Sequence, residues 1–127
     1  MEPIAPIPAT KFDVDKAAEV VRVGYPAVEP LIPQILEWIK DLNWPVSRVL
    51  QPFLASIGAP LAPHVEAVLA GRDDAWKHSV LSGVVARSPS LAQALTTQLK
   101  RLADAPSPGE SQEEVDRVAG EILDGLS

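Results

Sequence analysis

Pro30-Leu31-Ile32-Pro33-Gln34-Ile35-Leu36-Glu37-Trp38-Ile39 returns thirty residues later as Pro60-Leu61-Ala62-Pro63-His64-Val65-Glu66-Ala67-Val68-Leu69. A third version, without the prolines, begins at Leu91. Leu31, Leu61 and Leu91 then stand in register, as do Ile35, Val65 and Leu95, and Ile39, Leu69 and Leu99. Within a copy the columns are spaced i, i+4, i+8, which puts them on one face of an α-helix. The phrase therefore predicts one helix, buried along the same stripe, three times over. Helical units repeating at this length predict a stack of helix pairs in which each neighbour completes the next one's core.

The segments between the copies supply the first helix of each pair. Asp13 or Thr10 caps a helix running to about Val23, with Val14, Ala17, Ala18 and Val21 on one face and Gly24 placed to end it. Asn43 caps the next, which carries Val46, Val49, Leu50, Phe53, Leu54 and Ile57, is bent at Pro52 and stops at Gly58. Asp73 or Asp74 caps the third, with Trp76, Val80, Leu81, Val84 and Val85, ending near Ser88-Pro89. The repeated phrase fills the alternate helices, to about Leu42, from Leu61 to about Ala70, and from Leu91 to Ala103. After the loop Ala105 to Gly109, Ser111 to Glu114 has the form of a capping box. The helix that follows presents Val115, Val118, Ala119, Ile122, Leu123 and Leu126 to the stack. The expectation is an all-α superhelix of three helix pairs plus a C-terminal capping helix. Residues 1–12 form an extended, proline-rich lead-in that touches the body through Ile4 and Ile7, and residues 13–127 form a single domain.

The chain has 127 residues, a formal net charge of -6 and no cysteine. Lacking thiols, it has no disulfide framework, thiolate metal site or cysteine nucleophile, which fits a reducing compartment. Met1 to Thr10 has neither the charged nor the apolar region of a signal peptide, and no apolar run has the length of a membrane span. A cytoplasmic protein without a membrane partner is expected. The acids cluster at the end, with Glu110, Glu113, Glu114, Asp116, Glu121 and Asp124 against Arg117 alone. The basic residues are scattered, so nucleic acid is excluded as a partner on charge, whereas a protein with a basic face would be attracted.

Catalytic patterns are missing. His64 and His78 stand on different helices without cysteine or a second histidine at metal-ligand spacing, so no metal is expected. Asp73-Asp74 reads as a helix cap with its dipole partner. No Gly-x-Ser-x-Gly elbow and no glycine-rich phosphate loop occurs, so neither a catalytic residue nor a cofactor is expected.

A bent first helix closed by glycine, a shorter second helix, and Asp or Asn at the next start make residues 13–104 resemble HEAT repeats. A closer resemblance is to an uncharacterised bacterial family, domain of unknown function 5071, a short all-helical domain related to HEAT-like repeats. Ile7-Pro8 with Lys11-Phe12-Asp13 carries it, with Leu36-Glu37-Trp38 through Asn43-Trp44-Pro45-Val46, Asp73 to Lys77, and Glu113 to Asp116 with Glu121-Ile122-Leu123. The resemblance implies the fold and supplies no activity or site residues.

Turning positions 31, 35 and 39 and their equivalents to the core places Gln34, Glu37, Trp38, Asp41, His64, Gln98 and Arg101 on or beside the concave face of the stack. That face is expected to dock a protein partner, with Trp38 as apolar anchor and Glu37 and Asp41 orienting it. The expected function is a non-catalytic protein-interaction module, in a narrower form an immunity protein that blocks a toxin. The competing classes are a HEAT-like DNA glycosylase, using Asp41 beside Trp38, and a structural or oligomerisation unit. The acidic balance weighs against the glycosylase, and the oligomeric state is left open.

Overall fold

Proline decides where most helices of this chain begin. The computed structural model describes residues 8–126, and every regular element among them is helical. The α-helices are α1 (Val14–Val23), α2 (Ile32–Glu37), α3 (Pro45–Ile57), α4 (Ala62–Leu69), α5 (Asp74–Gly83), α6 (Pro89–Ala94), α7 (Thr96–Asp104), α8 (Pro108–Gln112) and α9 (Val115–Leu126). Pro33, Pro45, Pro63, Pro89 and Pro108 each occupy a first or second helical position, where a missing donor has no partner to lose. Single 3-10 turns, Glu29–Leu31 and Ala59–Leu61, lead into α2 and α4, so the two copies of the repeated phrase have the same local form.

The repeat columns are the core. Ile35, Ile39, Leu61, Val65, Leu69, Leu91, Leu95 and Leu99 are buried, and only Leu31 is half-buried. α3 supplies Val46, Leu50, Phe53 and Leu54 to the same interior. Asp73 caps α5 through its carboxylate, which accepts from the Trp76 amide at 3.0 Å. Gly58 ends α3 with φ at +78°, a backbone region that disfavours side chains, and the chain turns there by 109° into Ala59–Leu69. No single described helix is long and apolar enough to cross a membrane.

Several expected boundaries move. Among the described residues there are nine α-helices rather than seven. The first copy of the phrase stops being α-helical at Glu37, not Leu42, because the next amides tighten: Trp38, Ile39 and Lys40 donate to the carbonyls three residues back. The Leu36 carbonyl also takes a bond from the Trp76 indole, forty residues away, at 2.9 Å. Asn43 does not cap α3; Trp44 stands at that position, and the Asn43 amide donates to Asp41 Oδ1. The third copy divides at Leu95, whose amide is shared between the Leu91 and Ala92 carbonyls. Pro52 lies on the exposed side of α3, which continues unbroken past it.

Two faces are also reassigned. In α1 the buried side chains are Ala17 and Val20, while Val14, Ala18 and Val21 face outward. The capping box sits at Ser107 and Glu110, not at Ser111 and Glu114. Both frames read Ser-x-x-Glu, but only the first has proline directly after its serine and a glutamate that is buried between two cations from other helices, Lys77 and Arg101. Glu114 instead takes a left-handed conformation, φ 59°, and turns the chain from α8 into α9. Ile4 and Ile7 lie outside the described residues.

α9 lies across α7, α5 and α6, burying Val115, Val118, Ala119 and Ile122. At about 1.5 to 3 kcal/mol for each large side chain covered, this contact is a substantial part of a small domain's stability. Truncation after Glu114, which removes α9 and leaves α8 in place, is expected to destabilise the domain by several kcal/mol. Urea unfolding with an unchanged midpoint would show that α9 does not close the core.

Candidate functional site

Three depressions follow one another along the face made by α2, α4 and α7. The first lies where α2 runs out and is lined by Pro8, Gln34, Glu37, Trp38, Lys40 and Trp44. The second is a slot between α2 and α4, walled by Pro33, Leu36 and Glu37 on one side and Pro63, His64, Ala67 and Val68 on the other, with Trp76 closing it. The third lies between α4 and α7, beside Glu66, Leu69, Thr97, Gln98 and Arg101. Glu37 borders both of the first two.

Of the seven residues expected on this face, six line these depressions: Gln34, Glu37, Trp38, His64, Gln98 and Arg101. Asp41 lines none of them; its carboxylate holds the turn before α3 by accepting the Asn43 amide at 2.9 Å. Trp38 is half-buried, with Trp44 packed edge-on at 5.6 Å between ring centroids. It forms part of a wall and does not stand free as a projecting anchor.

The sequence reading passed over Trp76, the two prolines and Glu29. The sequence groups Trp76 with the apolar residues of its helix, whereas in the structure its indole donates to Leu36, its ring takes the Lys40 ammonium at 4.6 Å, and it closes the slot. Pro33 and Pro63 occupy the same position in the repeated phrase, and that register alone places them on the same side. Glu29 meets His64 Nε2 at 2.6 Å across the lead-in to α2.

The electrostatics differ along the face. Gln98 donates to Glu66 at 2.8 Å, joining α7 to α4. Arg101 grips Glu110 with its two terminal guanidinium nitrogens, Nη1 and Nη2, at 2.7 and 2.9 Å. Glu110 also takes the Lys77 ammonium at 2.7 Å, and Lys77 in turn meets Asp74 at 2.9 Å. The Lys77 and Glu110 side chains are only 5% and 3% exposed. The Arg101 hydrogen bonds hold the Glu110 carboxyl well below the usual carboxylate range; burial opposes them, and Lys77 and the Ser107 amide add to them. Burial pulls the Lys77 ammonium down, but hydrogen bonds to Glu110 and Asp74 outweigh it and raise its pKa. Arg101 is likewise raised, chiefly by Glu110.

A second groove, between α9 and the α5–α6 region, is lined by His78, Ser82, Pro89, Arg117 and Glu121 among others. Its charges are already committed: Arg117 to Glu114 and Glu121, and the His78 ring to the Glu113 carbonyl. Among the described residues no group of three or more His, Asp or Glu side chains is placed to hold a metal ion.

A family model described as "Domain of unknown function (DUF5071)" matches residues 6–123, and the chain belongs to that family. No curated protein matches the sequence.

Glu110 provides the test of the buried charges that fix the Arg101 end of the face. Its folded pKa lies below the unfolded value of about 4.3, so its stabilisation is fully present above that value and is lost as pH falls below it. Glu110→Gln leaves the buried Lys77 with Asp74 as its one charged partner among the described residues and takes the carboxylate from Arg101, and is expected to cost about 3 kcal/mol near neutral pH. The gap between wild type and variant should narrow as pH falls below about 4, measured by urea unfolding across the range. A gap independent of pH would mean that Glu110 is not an ionised partner in the folded chain.

Proposed function

We propose that this chain is a non-catalytic protein-interaction module whose helices stack in the manner of HEAT repeats and whose α2–α4–α7 face receives a protein partner. The observation that carries this reading is the row of depressions on that face, of which the middle one is apolar in its walls and is bordered by Glu37, whose carboxylate has no partner of its own. Helical stacks present extended surfaces of this kind to other proteins, and fixed apolar walls with a few polar groups at the edge suit such docking. The partner expected is one with a basic face, since the chain as a whole is acidic. A narrower form of the proposal is an immunity protein that neutralises a toxin, which small size and acidity favour. A DNA glycosylase would need a basic face, and its proposed carboxylate, Asp41, is engaged in a backbone turn.

Two experiments test this. Affinity purification from the native cell with the wild-type chain and with Glu37→Lys should retain a partner on the first and lose most of it on the second. With the purified partner, the association rate of the variant at low salt should fall roughly tenfold. Thermal unfolding should move by no more than about 0.5 kcal/mol, because Glu37 is exposed. Equal association rates at low salt would remove this face as the docking surface. Co-expression with a neighbouring reading frame that is toxic on its own tests the immunity form, and continued toxicity would reject it.

A further inference from the structure

The slot between α2 and α4 has a volume of about 250 Å³. Sites for whole small-molecule ligands run from roughly 300 to 1,000 Å³, so this one suits a single large side chain better than a free ligand. Its walls are almost entirely apolar, from Pro33, Leu36, Pro63, Ala67, Val68 and Trp76. They are also fixed before anything enters. The proline rings have no rotamers to lose, and the indole of Trp76 is tied to the Leu36 carbonyl at 2.9 Å.

One charge in this wall is unanswered. His64 is held by Glu29 at 2.6 Å, whereas the Glu37 carboxylate has no ion pair or hydrogen bond. Elsewhere on the face Glu66 accepts from Gln98, Arg101 is bound to Glu110, and Lys40 lies over the Trp76 ring. Among the described charged side chains that line these depressions, the Glu37 carboxylate alone has neither a polar nor a ring partner, and it stands at the rim of the apolar slot.

We infer that the slot receives a leucine, methionine or phenylalanine side chain from a peptide segment of the partner, and that a lysine or arginine close to it in that segment pairs with Glu37. The inference rests on the docking reading above and specifies the chemistry of the occupant. The apolar side chain supplies most of the affinity by leaving water, and the base sets which way the segment lies. An acidic segment is rejected because its charge would face Glu37 across the rim.

The test uses the full chain and a random peptide library displayed on phage, followed by titration of the enriched peptides made synthetically. Enriched peptides should combine a large apolar residue with a lysine or arginine one or two positions away. Ala67→Trp fills the slot from an exposed wall position and should weaken these peptides about tenfold or more, whereas Thr97→Trp, in the third depression, should leave them unchanged. Glu37→Gln should weaken binding a few fold and flatten its dependence on salt. Peptides that tolerate Ala67→Trp but are lost with Thr97→Trp would overturn the slot while leaving the docking face in place. Enriched peptides without a base, or with affinity indifferent to Glu37→Gln, would overturn the charge pairing. No enrichment above background, or binding indifferent to all three variants, would overturn both this inference and the reading it rests on.

Discussion

The carboxylate of Glu110 is the point on which the C-terminal half of the chain closes. Lys77 reaches it from α5 and Arg101 from α7, while its own helix, α8, begins with the Ser107 capping box that the same carboxylate completes at 2.8 Å. Taking two charges out of water costs several kcal/mol for each ion, so such a cluster holds only when every lone pair and proton has a partner. Among the described residues no buried side-chain nitrogen or oxygen is left without a hydrogen bond, and the Glu110 carboxylate accepts from Lys77, Arg101 and the Ser107 amide together. Gly109 lets the helices come this close, since a Cβ there would lie 2.3 Å from Asp74 Oδ2. Once α8 is fixed in this way, α9 follows through the turn at Glu114 and lays its apolar stripe on α7.

What the sequence makes legible is the part that periodicity controls. Columns spaced by four within a copy and thirty between copies identify the buried residues, because a helix has no other way to put them on one side. The all-helical class and the positions of α3, α4 and α9 follow from those stripes and from the glycines and prolines that bound them. The misread features are those settled by partners distant in the chain. α2 ends at Glu37 as the amides beyond it tighten and Trp76, on another helix, donates to a carbonyl in its last turn. The choice between two Ser-x-x-Glu frames depends on Lys77 and Arg101, which no local pattern mentions. In α1 two stripes of helical spacing were available, and contact with α3 selected Ala17 and Val20 over Val14 and Val21.

The candidate site divides along the same line. Repeat arithmetic on the recurring phrase singles out Gln34, Glu37, Trp38, His64, Gln98 and Arg101, and in the structure these six line depressions beside α2, α4 and α7. The same arithmetic missed the closing wall, because Trp76 belongs to a helix of the other kind and reaches across. It also treated Asp41 as a free charge, although an aspartate two residues before an asparagine amide readily folds back on its own backbone. Aromatic residues counted from sequence are therefore poor guides to which of them projects: Trp38 lies against Trp44, while Trp76, grouped by the sequence with the apolar residues of its helix, closes the slot.

Two kinds of charge thus coexist, and they constrain the protein differently. Glu110 lies in the interior, where removing it leaves the Lys77 ammonium to Asp74 alone and the fold itself responds. Glu37 lies at the surface, where water already solvates it and the fold gains little from its identity. Nothing in the packing of α2 requires an acid at that position, since the equivalent position in α4 is Ala67 and the same slot accommodates both. The carboxylate therefore contributes an electrostatic preference to a face whose shape is set by prolines, leucine and tryptophan. Shape and charge preference are held by separate residues there, so a change at Glu37 alters what the face attracts without altering the slot that would hold it.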